Sequence, residues 1–142
     1  MYDAERYPFL MGDPALGEAS FRPYLPFTLL YQQASVPASA LLDTGASVNV
    51  LPYSIGFELG YIWERQTTSL SLTGNLAQYE ARVVLVQAVI GRFKPVQLAF
   101  AWTQATDLPV ILGQVNFFME FDVCFYRSQR EFAVSPKPSL VG

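Results

Sequence analysis

The sequence predicts one mainly β domain with one or two short helices. Short runs of β-forming residues follow one another from Phe27 onward. Ser69-Leu70-Ser71-Leu72 alternates polar and apolar with period two, and Gly74-Asn75 behind it is a pair that favours hairpin turns. Glycine and proline recur too often for a long helix. At 142 residues, 51% hydrophobic and 15% charged, the chain can bury a core and is not disordered.

Residues 1–26 carry Pro8, Gly12, Pro14, Gly17, Pro23 and Pro26, which leave no room for long helices or strands. Tyr7, Phe9, Phe21 and Tyr24 predict that this N-terminal extension packs on the domain, which is expected over residues 27–134. Phe27–Tyr31 reads as a strand, Gln32–Ser35 as a turn, and Val36–Leu42 as a strand that delivers Asp43. Val48–Leu51 is another short strand. Pro52 can open a helix, because its missing N–H is not needed there. That helix covers Tyr53–Leu59 and ends at Gly60. Ser69–Leu72 and Leu76–Leu85 form a hairpin about Gly74-Asn75, and Val83–Ile90 pairs with Val96–Trp102 around Gly91-Arg92. Asp107-Leu108-Pro109 is a loop and Val110–Leu112 a buried strand. Phe117-Phe118-Met119 anchors a short helix to the core. Phe121–Tyr126 and Glu131–Val134 make a final hairpin around residues 127–130, and residues 135–142 read as a flexible tail.

The residue inventory narrows the chemistry. There is no histidine, so Ser-His and Cys-His catalysis within one chain is excluded, and His-based zinc sites with it. The one cysteine, Cys124, lies between Val123 and Phe125 and reads as a small buried apolar residue. No metal and no cofactor is called for. A net charge of −3 with no basic cluster argues against a nucleic-acid partner. No run approaches the ~20 apolar residues that span a bilayer, and Met1–Arg6 does not read as a signal peptide. With a free thiol, the expectation is a cytoplasmic protein without a membrane partner.

Acid–base work must then fall to carboxylates. Among the 12 acidic residues only Asp43 combines an uncharged, apolar stretch with a turn signal. Ala40-Leu41-Leu42 brings it into Thr44-Gly45, where Gly45 lets the backbone turn and Thr44 adds a hydroxyl beside the carboxylate. The run Leu41-Leu42-Asp43-Thr44-Gly45-Ala46 resembles the active-site motif of the aspartic proteases, and of their single-domain, retropepsin-like branch in particular. Val110-Ile111-Leu112-Gly113, followed by Gln114-Val115-Asn116-Phe117-Phe118, resembles the second signature of that family. The two occur in the family's order, and the resemblance covers roughly Phe27 to Val134.

The resemblance implies a retropepsin-like acid-protease barrel with a flap hairpin. It implies catalysis by Asp43, an active-site loop of Thr44, Gly45, Ala46 and Ser47, and support from Ile111, Leu112 and Gly113. The hairpin at Gly74 occupies the flap's place in the family order, so Thr73, Gly74 and Asn75 would form its substrate-covering tip. Such proteases activate a water between two carboxylates that share a proton, one acting as base and the other as acid. This chain has one Asp-Thr-Gly and no Asp-Ser-Gly. The second carboxylate is therefore expected from a second copy of the chain, across a two-fold axis bridged by Thr44. Retroviral relatives usually carry an Arg–Asp ion pair where Gln114 and Ser47 stand here. Both charges are missing together, so a neutral hydrogen bond is the expected replacement. Val48, Val50 and Ile111 are candidate subsite residues for apolar side chains of a peptide substrate.

Two other readings remain open from the sequence. The fold could serve as a non-catalytic module that binds an extended peptide by strand addition. It could also be the self-association domain of a larger precursor. Solution mass and a peptide-library assay separate these from an endopeptidase.

Overall fold

The computed structural model describes residues 3–138. The strands are β1 (Glu5–Pro8), β2 (Leu10–Met11), β3 (Phe21–Arg22), β4 (Tyr24–Tyr31), β5 (Ala34–Leu42), β6 (Asn49–Leu51), β7 (Ser69–Leu70), β8 (Ala81–Val89), β9 (Val96–Thr103), β10 (Val110–Leu112), β11 (Phe121–Tyr126) and β12 (Glu131–Pro136). Helix α1 spans Tyr53–Leu59 and α2 spans Phe117–Glu120. Among the described residues no helix is long and apolar enough to cross a membrane.

The main sheet runs β4-β5-β10-β6-β9-β8-β7, and β4 pairs again with β8 at Thr28–Leu30. That second pairing closes β4, β5, β10, β6, β9 and β8 into a barrel, which removes the open edges of those strands. Pro26 and Pro37 are tolerated because each lies outside the ladder on one side of its strand. The β4–β8 pairing covers residues 28–30 and the β5–β10 pairing covers 40–42. Along β5, Val36, Ala40 and Leu42 turn inward with period two.

The core fills the barrel and the space under α1. Trp102 is fully buried there. Its ring stacks on Tyr53, and its indole Nε1 donates to the Tyr53 carbonyl oxygen at 3.1 Å. Trp63 meets it edge-on. Tyr61 stacks on Tyr31 with ring centroids 3.9 Å apart, and its hydroxyl donates to the Leu85 carbonyl oxygen. Burial raises the pKa of this phenol strongly. α1 starts behind Pro52 and stops where Gly60 turns left-handed (φ 99°), as its sequence requires.

Three expectations, on the tail, Met119 and Cys124, are corrected. The N-terminal segment is joined to the fold by strand pairing: β1 pairs with β12 along Glu5–Pro8, giving a separate sheet β1-β12-β11. Phe9 is buried, and Tyr7 stacks on Phe132 at 5.5 Å. The rest of that arm curls through a 3₁₀ stretch, Pro14–Ser20, and Glu18 meets Arg127 and Arg130 at the β11–β12 turn. Ser135 is buried and pairs with Asp122, so β12 continues into the expected tail, whose last residues, 139–142, lie outside the described ones. Met119 is 61% exposed and anchors nothing, while Phe117 is buried against Phe121. Cys124 is only partly buried, because the strand pleat faces it away from the core that Phe121 enters.

Tyr7 also carries a pH signature. Burial raises the pKa of its phenol to about 12, helped by the hydrogen bond it donates to Glu5 Oε2 at 3.0 Å and by that carboxylate's charge. The unfolded chain ionises this phenol near pH ~10, so the folded state loses the associated stability as pH rises from about 10 to about 12. Denaturant midpoints measured from pH 9 upward should fall less steeply for Tyr7→Phe than for the wild type across that window.

Candidate active site

Asp43 stands where β5 leaves the sheet. Strand β10 runs parallel to β5, matching Val110, Ile111 and Leu112 to Ala40, Leu41 and Leu42. On its other side β10 pairs antiparallel with β6 through Ile111 and Val50. The two sequence signatures therefore meet side by side, with β10 wedged between the strand that enters the active-site loop and the strand that leaves it. The Asp43 amide donates to the Leu112 carbonyl oxygen at 3.0 Å, which fixes the Asp43 backbone to the second signature.

The loop is tied by local bonds. Asp43 Oδ1 accepts from the Gly45 amide at 2.9 Å, and the Asp43 carbonyl oxygen accepts from the Ala46 amide at 3.1 Å. This is the Asx-type turn that an Asp two residues before a Gly favours. A Cβ on Gly45 would stand 3.3 Å from that same carboxylate oxygen. Residues 46–49 then run beside 114–115: the Gln114 amide donates to Ala46 O at 2.9 Å, Val115 N to Ser47 O at 3.0 Å, and Asn49 N to Val115 O at 3.0 Å. Gly113 lies directly beneath. A Cβ there would fall 2.6 Å from both the Ala46 and the Val48 carbonyl oxygens. Only glycine allows so close an approach.

Gln114 does make the neutral bond expected in place of an ion pair, but not to Ser47. Its side-chain Nε2 donates to the Thr44 carbonyl oxygen at 2.9 Å. Ser47 meets the second signature through its main chain instead. Thr44 and Gly45 are exposed, and Asp43 is partly buried.

Asp43 opens into a cleft of about 570 Å³. Gly45, Ala46 and Ser47 line one wall, and Val48, Val50 and Ile111 form an apolar floor. A small apolar cluster of Val50, Leu72, Ala81 and Ala101 supports that floor, with Leu70, Leu76 and Leu108 packed on it. Another cleft, of about 640 Å³ beside Pro26 and Pro37, is lined by no titratable side chain.

The hairpin opposite the loop departs from the expected shape. Gly74 does take the left-handed conformation (φ 65°), but no two-residue turn follows. Residues 74–76 curl into a 3₁₀ turn, with Ala77 N donating to Gly74 O and Tyr79 N to Leu76 O. Ser69 and Leu70 pair with the return strand, which begins at Ala81 and not at Leu76, and the Val83 amide donates to the Thr68 carbonyl oxygen. The reason is Leu76, which packs into the cluster under the cleft and does not continue the strand. Thr73 and Asn75 face the cleft that holds Asp43, whereas Gly74 is exposed and contributes backbone shape only.

Sequence reasoning missed three cleft or support residues. Asp107 is the cleft's second carboxylate, and the lining includes no cationic side chain. A proline-bounded loop gave no signal for it. Asn49 and Asn116 form a hydrogen-bonded pair behind the loop. The signal for Asn49 was a lone amide among Val48, Val50 and Leu51.

Residues 31–115 match the family model described as Aspartyl protease. The chain belongs to the aspartyl protease family. In fold it is similar to a retropepsin-like aspartic protease from Rickettsia conorii, with a TM-score of 0.59 and 14% identity over 91% of this chain and 98% of that one. It is also similar to EIAV protease complexed with the inhibitor HBY-793, at a TM-score of 0.49 and 22% identity over 66% of this chain and 82% of that one. No curated protein matches the chain in sequence. The protein is thus an aspartic protease, and its fold is the retropepsin-like β barrel.

Gly113→Ala tests how tightly this protease's loop is seated. The two carbonyls that the new methyl would strike are backbone, and Ala46 O is held by the Gln114 amide. The variant should lose about 1–3 kcal/mol in denaturant unfolding. Its kcat on a peptide substrate should fall at least ~10-fold, because small displacements of catalytic groups are costly.

Proposed function

We propose that this protease acts as a homodimer in which the Asp43 carboxylates of two protomers face each other and share one proton. The observation that carries this reading is the single Asp43-Thr44-Gly45 loop opening into a substrate-sized cleft. Aspartic protease chemistry needs two carboxylates, and the chain supplies one such loop. Exposed Thr44 and Gly45, with exposed Val115 next to the Ser47 main chain, offer the face on which a second copy would sit.

In the reactive form one carboxylate is ionised and the other protonated. The ionised group takes a proton from water as its oxygen attacks the scissile carbonyl carbon. The protonated group gives its proton to the carbonyl oxygen, which leaves a neutral tetrahedral diol. The carboxyl that took water's proton then gives it to the amide nitrogen, and the C–N bond breaks as the other carboxylate takes a proton from a diol hydroxyl, leaving acid, amine and one proton on the pair. Thr73 and Asn75 on the facing loop would cover the substrate, and Val48, Val50 and Ile111 would take an apolar side chain.

Asp43→Asn keeps the shape and removes the proton carrier. Its kcat should fall by about 10³-fold or more, with the unfolding transition retained. The wild-type profile of kcat/KM against pH should be bell-shaped, with limbs that stay put between two well-separated enzyme concentrations. Limbs that move with concentration would report dissociation of the dimer. A flat profile where the dimer persists would exclude the shared proton.

Asp107 gives the cleft a second preference. A carboxylate at the apolar cleft, without a cation lining it, favours substrates that place Lys or Arg within its reach. In a peptide library the wild type should prefer a basic residue at one subsite by about 2–5-fold, the range an exposed carboxylate can supply, and Asp107→Asn should remove that preference while cleavage of neutral peptides continues.

A further inference from the structure

We infer that Asn49 is a positioning residue for the catalytic aspartate, acting through the single peptide group between Leu112 and Gly113. This rests on the reading that Asp43 is the catalytic acid. The Leu112 carbonyl oxygen accepts from the Asp43 amide at 3.0 Å, and the Gly113 N–H donates to Asn49 Oδ1 at 2.8 Å. Both bonds belong to one planar, trans peptide unit, whose C=O and N–H point in opposite directions. The unit is therefore clamped from both sides. Asn49 holds its donor end, and its acceptor end holds the backbone of Asp43. Hydrogen bonds in series through one peptide also polarise each other, so the bond to Asp43 strengthens when the bond to Asn49 is made.

The rest of the Asn49 amide is committed to keeping Oδ1 in place. An asparagine amide has two donors and one acceptor oxygen. Asn49 Nδ2 donates to the Ala99 carbonyl oxygen at 2.9 Å and to Asn116 Oδ1 at 3.1 Å. Asn116 Oδ1 also accepts from the Ala99 amide at 3.0 Å, and Asn116 Nδ2 donates to the Gln97 carbonyl oxygen at 3.1 Å. These bonds lock the side chain onto β9, a central strand of the barrel. Asn49 is 0% exposed, so no water competes for Oδ1. The neighbouring Val48 and Val50 line the cleft, whereas Asn49 points to its back. It touches no substrate; its effect on catalysis passes through Gly113 and Leu112.

The test compares Asn49→Ala with Leu98→Ala. Leu98 is an equally buried residue of β9 that makes none of these bonds. Both variants should unfold at lower temperature. Asn49→Ala should also lower kcat about 100-fold with KM changed less than about threefold, since misplacing a catalytic group costs rate more than binding. Leu98→Ala should keep kcat within about threefold. Amide hydrogen exchange gives a readout independent of turnover. The Asp43 amide should exchange about 10-fold or more faster in Asn49→Ala than in Leu98→Ala under conditions where both are folded. Should Asn49→Ala fail to fold, Asn49→Ser carries the same test. Its hydroxyl is one atom too short to keep the Gly113 bond, so the same two losses are expected. Unchanged kcat together with unchanged Asp43 exchange overturns the inference, and so does an equal loss of kcat in Leu98→Ala. A wild type that cleaves nothing would instead refute the catalytic reading, and the exchange comparison would still decide the role of Asn49.

Discussion

Strand β10 is the piece on which the site depends. It is short, yet it serves three neighbours at once because successive side chains on a strand face opposite ways. Val110 and Leu112 point into the main core, and Ile111 points into the cleft beside Val50. Its backbone holds β5 on one side and β6 on the other. The active-site loop has to leave one of those strands and return to the other. Its path is therefore fixed at both ends by a third strand that arrives from much later in the chain. Gly113 completes the arrangement by letting the loop's carbonyls settle directly on the strand's end.

The protein separates rigidity from access by using two apolar clusters of unequal size. The large one fills the barrel and packs the aromatic group around Trp102. The small one lies under the cleft and carries residues 70–76 on its far side. A loop held by a few leucines, with its backbone tied to the return strand at residues 68–70, costs far less to displace than a barrel strand. The N-terminal arm follows a different logic. Its ion pairs to Arg127 and Arg130 are exposed, and such pairs contribute little. What secures the arm is the β1–β12 ladder together with the burial of Phe9 and the stacking of Tyr7 on Phe132.

Much of this was legible residue by residue. Helix α1 is bounded by the signals that predicted it, Pro52 and Gly60. The strands before Asp43 and around Gly91 lie within a few residues of their expected positions, because apolar runs of that length have few alternatives. The hairpin near Gly74 was misread for an instructive reason. Alternation at Ser69–Leu72 and a Gly-Asn pair satisfy the local rules for a tight turn. The decision belonged to Leu76, which gains more by burial in the cluster beneath the cleft than by extending a strand in water.

By itself, then, the sequence determined what is local: the β class, the turn at Asp43, and the family resemblance carried by two short runs. It placed Val110–Gly113 in the chain but not in space. Only the tertiary structure set that run against Leu41 and Leu42, because strand pairing across such a separation depends on every intervening element closing the barrel. The same holds for Asn49. Its amide reads as an oddity among valines until Ala99, Asn116 and Gly113 arrive around it from distant strands and give each of its polar atoms a partner. Hydrogen-bond satisfaction in a core is a property of neighbours in space, and a linear sequence does not contain those neighbours.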